Sequence, residues 1–396
     1  MKLTSRQTLL QMAHVLQQDL FPSLQNQLGP LDESCQLVAS VLALTPIAGW
    51  VKLLETGTGR RPKDRTALAC AFIAKAVLNL PTTRDLIARL RVDDGLRRLC
   101  GWRHAADLPH ESKFSRVFER FATAELPQRL HGAIIEATQS ERLIGHIARD
   151  STDIHARERF PAMSEQREGK PKAGAATKPA KDRSKGSKGA RFQRAKASER
   201  GTRIQRQRHM KLEAMLAELP RQCDIGVKTN SKGNQHYWRG YKLHLDVADG
   251  QIPISAVLSS ASLHDSQVAI PLMQLTGSRV TYLYDLMDSA YDADEILQHS
   301  RERQHVPIVA PNARRATRQP SQVPKARPPK PQPELSWAEA ERFKERTMVE
   351  RVYARLKDEF GASQIRVRGA AKVMAHLMYG VLALTVDQWL KLARTG

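Results

Sequence analysis

The stretch YKLHLDVADGQIPISAVLSSA, residues 241–261, decides the predicted fold. Its first part alternates strictly between apolar and polar side chains, and one face carries Tyr241, Leu243, Leu245 and Val247. A second apolar run follows the turn ADGQ, and period-two alternation on both sides of a turn is typical of a β-hairpin. The sequence therefore predicts an antiparallel pair of strands near the middle of the chain.

Further strands are predicted on both sides of this hairpin. Short apolar runs occur in RLIGHIARDST (142–152), RVTYLYDLMD (279–288) and VPIVAP (306–311). The last two are separated by the helix-like segment DADEILQHSRERQ. Strands that alternate with helices predict the α/β class, here a mixed sheet with flanking helices.

The two ends of the chain are predicted to be helical. Apolar residues recur at three- and four-residue steps in residues 65–80 and 82–102, and Thr82 or Thr83 can cap the second segment. Residues 370–393 have the pattern of a strongly amphipathic helix. We predict a helical N-terminal domain (1–138), a central domain (139–368) and a closing segment (369–396) whose helix packs on the central domain.

Most of the positive charge lies in two segments. The formal net charge is +22; residues 164–211 hold sixteen Lys or Arg against four Asp or Glu, and residues 312–333 hold six basic residues, six prolines and no acid. Both segments have few large apolar side chains, so we predict disordered insertions in the central domain. Such a charge favours nucleic acid as a partner, and segment 164–211 is expected to contact DNA phosphates.

Several classes of protein are disfavoured. The longest apolar run, Leu377–Val386, is ten residues, whereas a membrane span needs roughly 20. The N-terminal residues lack the apolar block of a signal peptide. The four cysteines are far apart, without the spacing of a zinc site or a redox pair. We therefore expect reduced thiols, a cytoplasmic location and no membrane partner.

Three acidic residues are predicted to form a metal site. Asp150 ends one apolar run, Asp288 ends another and is followed by Tyr291, and Glu350 lies on a predicted helix at 341–360. Clustered carboxylates repel one another unless a cation lies between them, and their hard oxygen atoms suit Mg²⁺. The pattern therefore predicts a magnesium site made by strand ends and a helix.

Nearby acids compete for these roles. Asp153 follows Asp150 in the sequence DSTD, and Asp285 precedes Asp288 within the same predicted strand. The position of Asp150 directly after its apolar run, and the Tyr291 spacing of Asp288, favour these two residues.

Two other residues of interest have structural explanations. His264 and Asp265 in SLHDSQ resemble an acid–base pair, but they are expected to cap a helix that begins at Ser266. Trp238 could stack on a base, but it is expected to be a half-buried strand aromatic.

The predicted helix ERFKERTMVERVYARLKDEF (341–360) places an aromatic ring, a guanidinium, a carboxylate and an ammonium group along one stripe of its surface. Phe343, Arg346, Glu350 and Lys357 follow one another at steps of three, four and seven residues. At 3.6 residues per turn they fall within an arc of roughly 60°. Glu350 can face a metal while Arg346 and Lys357 hold phosphates. In a basic protein this set predicts phosphoryl transfer on DNA with two metal ions about 3.5 to 4 Å apart.

The same stripe resembles the Tyr-x2-Arg-x3-Glu-x6-Lys signature of DDE transposases from bacterial insertion sequences. The segment ARDSTDI is similar to the first-aspartate strand of that family, and LMDSAYDADEI to its second-aspartate motif. ASLHDSQVAIPL is similar to the segment after the hairpin. LPTTRDLIARLRVDDGLRRLCGW, with SKFSRVFERF, is similar to the N-terminal domain of the same group.

The resemblance implies an RNase-H-like catalytic domain over residues 139–368. Asp150, Asp288 and Glu350 would bind two Mg²⁺ ions, with Mn²⁺ as a substitute. The implied reaction is cleavage at transposon ends followed by transfer of the freed 3′ hydroxyl into target DNA. The N-terminal domain would bind DNA ends or dimerise, and the protein would act as a homodimer on DNA.

Contacts to the transposon end are implied for Arg346, Lys357 and Phe343. Phe343 replaces the Tyr of the signature, so its ring can pack but cannot make a phenolic hydrogen bond. Tyr353, on the neighbouring face of the helix, is a candidate to supply that hydroxyl. Two alternatives stay open: a noncatalytic DNA-binding descendant of such an enzyme, and a metal-dependent nuclease of the same fold that performs no strand transfer.

Overall fold

The computed structural model describes residues 11, 14–54, 64–158, 202–229, 234–310 and 335–395. The predicted insertion at 312–333 lies outside these residues, as does the insertion at 164–211 up to residue 201. Residues 202–211 are described, and for them the prediction of disorder is wrong. They contain the helix Arg203–Gln207, in which Gln207 is fully buried and donates a hydrogen bond to the Gln267 carbonyl.

The described residues before the sheet form helices and connecting turns. After a π-helical turn at Leu16–Leu20, the helices are α1 Phe21–Leu28, α2 Glu33–Leu44, α3 Ile47–Leu53, α4 Arg65–Val77, α5 Thr83–Val92, α6 Asp94–Cys100, α7 Glu111–Thr123 and α8 Leu126–Gln139. Helix α5 begins with a capping box, in which Thr82 and Asp85 satisfy each other's backbone N–H groups. Thr82, not Thr83, is therefore the cap.

A mixed sheet forms the centre of the molecule, as predicted for the α/β class. Its strands are β1 Leu143–His155, β2 Asp224–Thr229, β3 Gln235–Ala248, β4 Ile252–Ser260, β5 Thr281–Met287 and β6 Val306–Val309. The order is β2-β3-β1-β5-β6, and β4 also pairs with β3. The predicted hairpin is the antiparallel pair β3–β4, while β1–β5 and β5–β6 are parallel.

Helices flank this sheet. They are α9 Arg203–Gln207, α10 Leu212–Glu218, α11 Ser266–Gly277, α12 Asp294–Glu302, α13 Trp337–Phe343, α14 Thr347–Asp358 and α15 Ala370–Thr395. The mixed sheet and its helices are confirmed, whereas the narrower RNase-H-like assignment stays a prediction.

The largest hydrophobic core joins both ends of the chain. It contains Phe72 of α4, Leu243 of β3, Val352 of α14 and Val381 of α15. Helix α15 packs against α4, α7 and α8 as well as against β4. The last helix therefore completes a core shared by the N-terminal helices and the sheet, while the domain boundaries at 138/139 and 368/369 stay predictions.

The contact between β2 and β3 depends on a glycine. A Cβ atom at Gly226 would lie 2.3 Å from the Trp238 ring, so only glycine lets the indole cross the neighbouring strand. The Trp238 indole N–H donates to the Tyr241 carbonyl at 3.2 Å, and the ring is buried. Trp238 is therefore more buried than the sequence predicted.

One helix among the described residues, Ala370–Arg394, is long and apolar enough to cross a membrane. In its most apolar window 67% is buried inside the protein, and a core helix passes the same test. The four cysteines are free, as predicted: Cys35, Cys70, Cys100 and Cys223.

Candidate active site

The register of the sheet brings Asp150 and Asp288 together. Strand β1 does not end at Asp150 but continues to His155, so that part of the prediction is wrong. It continues because β3 pairs with β1 through its whole second half. Strand β5 ends at Met287, which lies opposite Arg149 in the parallel pair. Asp150 and Asp288 each follow by one residue, so they lie side by side.

A pocket of about 270 Å³ lies at this position. Its carboxylates are Asp150, Asp153, Asp265, Asp288 and Glu350, and its cations are Lys228, Lys242 and Arg346. The three acids predicted from the sequence thus line one pocket, although they come from β1, the end of β5 and α14.

Arg346 bridges two of these acids. Its Nη2 atom donates to Glu350 Oε1 at 2.6 Å, and its Nη1 atom lies 3.7 Å from Asp150 Oδ2. Only 19% of the Arg346 side chain is exposed, against 53% for Glu350. The guanidinium therefore occupies the position between the carboxylates, where it offsets part of their repulsion.

The helix that carries Arg346 and Glu350 is interrupted. The prediction of one helix over 341–360 is wrong, because α13 ends at Phe343 and a 3₁₀ turn, Lys344–Arg346, precedes α14. The backbone stays right-handed through this turn. Arg346 and Glu350 keep their four-residue contact, and the Arg346 guanidinium lies 5.7 Å from the Phe343 ring.

Lys357, the last member of the stripe, contacts a different acid. Its Nζ atom donates to Asp153 Oδ1 at 3.0 Å. Burial opposes the charge of Asp153, but the hydrogen bond and the charge of Lys357 lower its pKa below the usual value. Asp153, the competitor of Asp150, is therefore held by a lysine from α14.

Asp285, the competitor of Asp288, lies away from the pocket in a buried network. Arg149 Nη1 donates to Asp285 Oδ1 at 3.0 Å, and Arg149 Nη2 donates to Asp246 Oδ2 at 2.6 Å. All three side chains are fully buried, and Ser300 donates a further hydrogen bond to Asp285. Removing one partner from such a set leaves an uncompensated charge. The network ties β1, β3 and β5 together directly beside Asp150.

The two strand aspartates are electrostatically perturbed. Burial, with a smaller contribution from nearby Asp288, raises the pKa of Asp150 to about 7 against the opposing effects of the Ser151 N–H and Arg346. Burial also raises the pKa of Asp288, although the Ala290 N–H donates to its Oδ1 at 2.9 Å. Perturbed carboxylates gathered in one pocket are typical of functional sites.

Asp265 was expected to cap α11, and the structure corrects this. It makes no capping hydrogen bond; instead its Oδ1 accepts from Lys242 Nζ at 2.9 Å inside the pocket. The other residue of the pair, His264, caps the helix as predicted: its Nδ1 accepts from the Ser266 N–H at 3.4 Å and contacts the Ser266 hydroxyl at 2.8 Å. Burial would raise the pKa of Asp265, but His244 and Lys242 lower it. The contact between Lys242 and Asp265 could not be predicted from the sequence, because the two residues belong to different elements.

Tyr353 is not free to replace the missing phenol of Phe343. Its hydroxyl donates to the Asp150 carbonyl at 2.6 Å and accepts from the Leu245 N–H at 3.0 Å. The side chain is buried. Tyr353 therefore fixes α14 to the backbone of β1 and β3.

The pocket suits a hard divalent cation in its chemistry. Its carboxylate oxygens are the ligands that Mg²⁺ prefers. As the described side chains stand, no group of three or more His, Cys, Asp or Glu is close enough to hold an ion. The reason is visible at Glu350, which contacts Arg346 rather than the strand aspartates. The Glu350 side chain is 53% exposed, so it has room to change its rotamer.

Two models of known protein families together match most of the chain. A family model described as "Transposase DDE domain" matches residues 142–386, and one described as "Transposase domain (DUF772)" matches residues 22–120. Searches of curated proteins and of solved structures found no significant match. The first match covers more than half of the sequence, includes β1, β5 and α14 with their acids, and agrees with the resemblance noted above. The chain therefore belongs to the DDE-domain family of transposases.

Proposed function

We propose that this protein is a DNA transposase that cleaves transposon ends and transfers the 3′ hydroxyl into target DNA. The observation that carries the proposal is the convergence of Asp150, Asp288 and Glu350 on one pocket that also contains Arg346. Family membership supports transposition, and the acid pocket supports metal-dependent phosphoryl transfer as its chemistry.

In the proposed site, Asp150, Asp288 and Glu350 would hold the metal ions. Two Mg²⁺ ions, or Mn²⁺ in their place, would activate the attacking oxygen and stabilise the departing one. Arg346 would then leave the carboxylates and bind a phosphate of the scissile strand. Lys357 and Phe343 extend the same surface along the DNA end.

The reaction consists of two displacements at phosphorus. In the first, a water oxygen bonds to the scissile phosphorus, the bond to the 3′ oxygen breaks, and that oxygen leaves as the 3′ hydroxyl. In the second, this hydroxyl attacks a target phosphodiester and releases a target 3′ end. Both ends of an element must be held for joining, so we propose a homodimer on DNA.

The test compares isosteric variants of the acids. Asp288→Asn and Glu350→Gln remove one metal ligand each, so Mg²⁺-dependent end cleavage should fall at least about 100-fold while DNA binding without metal persists. Asp153→Asn is the matched control, because it neutralises an acid of the same pocket that is paired with Lys357. Cleavage that survives in Asp288→Asn or Glu350→Gln removes that residue from the assignment.

The products separate the proposal from its two alternatives. A transposase joins the cleaved end to target DNA, whereas a nuclease of the same fold releases cleaved ends without joined products. A noncatalytic descendant binds DNA but gives neither product at any Mg²⁺ or Mn²⁺ concentration. The complete set of pocket acids favours an active enzyme, since binding alone has no need of mutually repelling carboxylates.

A further inference from the structure

A second cavity carries positive charge between the N-terminal helices and the sheet. Its volume is about 440 Å³, and it is lined by side chains from α4, α5, α7, the segment just after β1, the connection between α14 and α15, and α15 itself. Its cations are Lys75, Arg157, Arg366, Arg368 and Lys372. Among the residues that the structure describes, no carboxylate lines it. We call this cavity the basic groove.

Four of these cations are available for a ligand. Lys372 is paired with Glu119 at 2.9 Å, but Lys75, Arg157, Arg366 and Arg368 make no ion pair within the described ranges. Arg157, Arg366 and Arg368 are exposed. Burial lowers the pKa of Lys75 to about 8, against a smaller opposing effect of Asp85. Unpaired cations brought together by distant parts of the chain repel one another, and an anionic ligand removes that cost.

The basic groove is connected to the acid pocket by two elements that run side by side. Strand β1 carries Asp150 and Asp153 and leads towards Arg157, and α14 carries Glu350 and then Lys357, which contacts Asp153. The chain after α14 returns to β1, where the Gly369 N–H donates to Glu158 Oε1 at 2.7 Å. The pocket and the groove therefore lie at successive positions along the β1–α14 pair.

The separation matches a short length of duplex. Arg157 follows Asp150 by seven residues, which corresponds to at most about 23 Å along a strand. At 3.4 Å per base pair, this length spans at most about seven base pairs. A duplex whose scissile bond lies at the acid pocket would thus present backbone phosphates to the groove within one helical turn.

We propose that the basic groove binds the phosphate backbone of duplex DNA within about seven base pairs of the cleaved bond, through Lys75, Arg157, Arg366 and Arg368. This inference rests on the proposed function, since it places the scissile bond at the acid pocket. It assigns DNA binding to the junction of the N-terminal helices with the sheet, in addition to the stripe on α14.

The test measures DNA affinity of the full chain without metal, so that no cleavage interferes. A labelled 30-base-pair duplex of mixed sequence is titrated by fluorescence anisotropy at several salt concentrations. The variant Arg366→Ala/Arg368→Ala removes two exposed guanidinium groups from the groove. The matched control is Arg301→Ala/Arg303→Ala, which removes the same charge from the exposed end of α12, beyond β5 and β6.

The groove variant should lower the slope of log affinity against log salt by about 2, because each lost phosphate contact lowers it by roughly 0.9. At 0.1 M salt its affinity should fall about 10- to 100-fold. The control should stay within twofold of the unchanged protein. Equal losses in both variants, or an unchanged slope in the groove variant, overturn the proposal.

The two proposals fail in different ways. If the groove variant binds and cleaves like the unchanged protein, the groove is not a DNA site and the proposed function stands. If the unchanged protein cleaves no DNA but the groove variant still loses its salt slope, the groove is a DNA site and the catalytic proposal falls. Thermal unfolding of each variant, expected to be unchanged for exposed residues, separates lost contacts from lost folding.

Discussion

At the scale of single residues, the protonation of Asp150 should control metal binding. Burial raises the pKa of Asp150 to about 7, so a large fraction carries a proton at neutral pH. A cation must displace that proton, and Mg²⁺ affinity should therefore rise about tenfold per pH unit from pH 5 to 7 and level off above. Isothermal titration calorimetry in buffers of different ionisation enthalpy measures both the affinity and the proton released.

The control is Asp153→Asn, which should keep this pH dependence, because the pKa of Asp153 lies below its usual value. Asp150→Asn should bind Mg²⁺ weakly at every pH. An affinity that does not change between pH 5 and 7 in the unchanged protein would contradict the role assigned to Asp150.

The sequence identified the residues with local signals and missed those without. Asp150 and Asp288 border apolar runs, and Glu350 fits a spaced stripe, so each could be singled out in isolation. Asp265 and Lys242 meet only because α11 begins beside β3, and no spacing within either segment reveals that pair. The structure brings the predicted acids together, while their catalytic role stays a prediction.

At the scale of elements, the hydroxyl of Tyr353 should stabilise the packing of α14 on the sheet in addition to the burial of its ring. Tyr353→Phe leaves the Leu245 N–H without the hydroxyl that accepts from it in a buried place. An unsatisfied buried donor costs about 1 to 3 kcal/mol, so the free energy of unfolding should fall by that amount. Urea denaturation followed by circular dichroism measures the change.

Phe343→Tyr is a suitable comparison, because it adds a phenolic hydroxyl to a half-buried ring of the neighbouring helix α13. Its effect on the free energy of unfolding should stay within about 0.5 kcal/mol. If Tyr353→Phe were equally neutral, the hydroxyl would not be fixing α14 to the sheet.

The ends of some elements could not be predicted from sequence patterns. The hairpin β3–β4 begins with apolar alternation, β5 and β6 are short apolar runs, and all of them were predicted. The second half of β1, Ser151–His155, is largely polar and resembled a loop, yet β3 pairs with it as far as His155. The 3₁₀ turn before α14 carries ordinary helix-forming residues, so its sequence gives no sign of the tighter winding.

At the scale of the whole molecule, buried histidines should make the fold sensitive to acid. His131 on α8 is fully buried, and its Nε2–H donates to the Pro253 carbonyl of β4 at 3.0 Å. Burial lowers its pKa to about 3, with a smaller effect of Arg279. Below pH 6.5 the unfolded chain takes up a proton that the folded chain refuses. The stability is therefore complete above pH 6.5 and is lost as the pH falls toward 3.

Between pH 8 and pH 5, His131 alone should account for a loss of about 2 kcal/mol in the free energy of unfolding. His244 and His376, with pKa values lowered by burial to about 4, add to this loss. His131→Gln keeps a hydrogen-bond donor but does not titrate in this range, so its pH profile should be flatter. Parallel profiles for both proteins, measured by urea denaturation, would rule His131 out as a cause.

The α/β class could be predicted because each strand buries its own apolar residues, and this burial appears as an apolar pattern within the strand's own sequence. The shared core could not, since it depends on contacts between α15 and helices that lie about 300 residues earlier. The sequence predicted the N-terminal domain and the closing helix as separate parts of the chain. In the structure α15 packs directly on the N-terminal helices.

Because α15 completes the core of the N-terminal helices, synthesis of the protein and its folding are coupled in time. On the ribosome, the N-terminal helices emerge long before Val381 and its neighbours exist, and their shared apolar surface stays uncovered until these residues of α15 are released. A premature stop codon or a frameshift between codons 370 and 381 should therefore yield chains that are cleared by proteolysis, even though every acid of the pocket has already been translated.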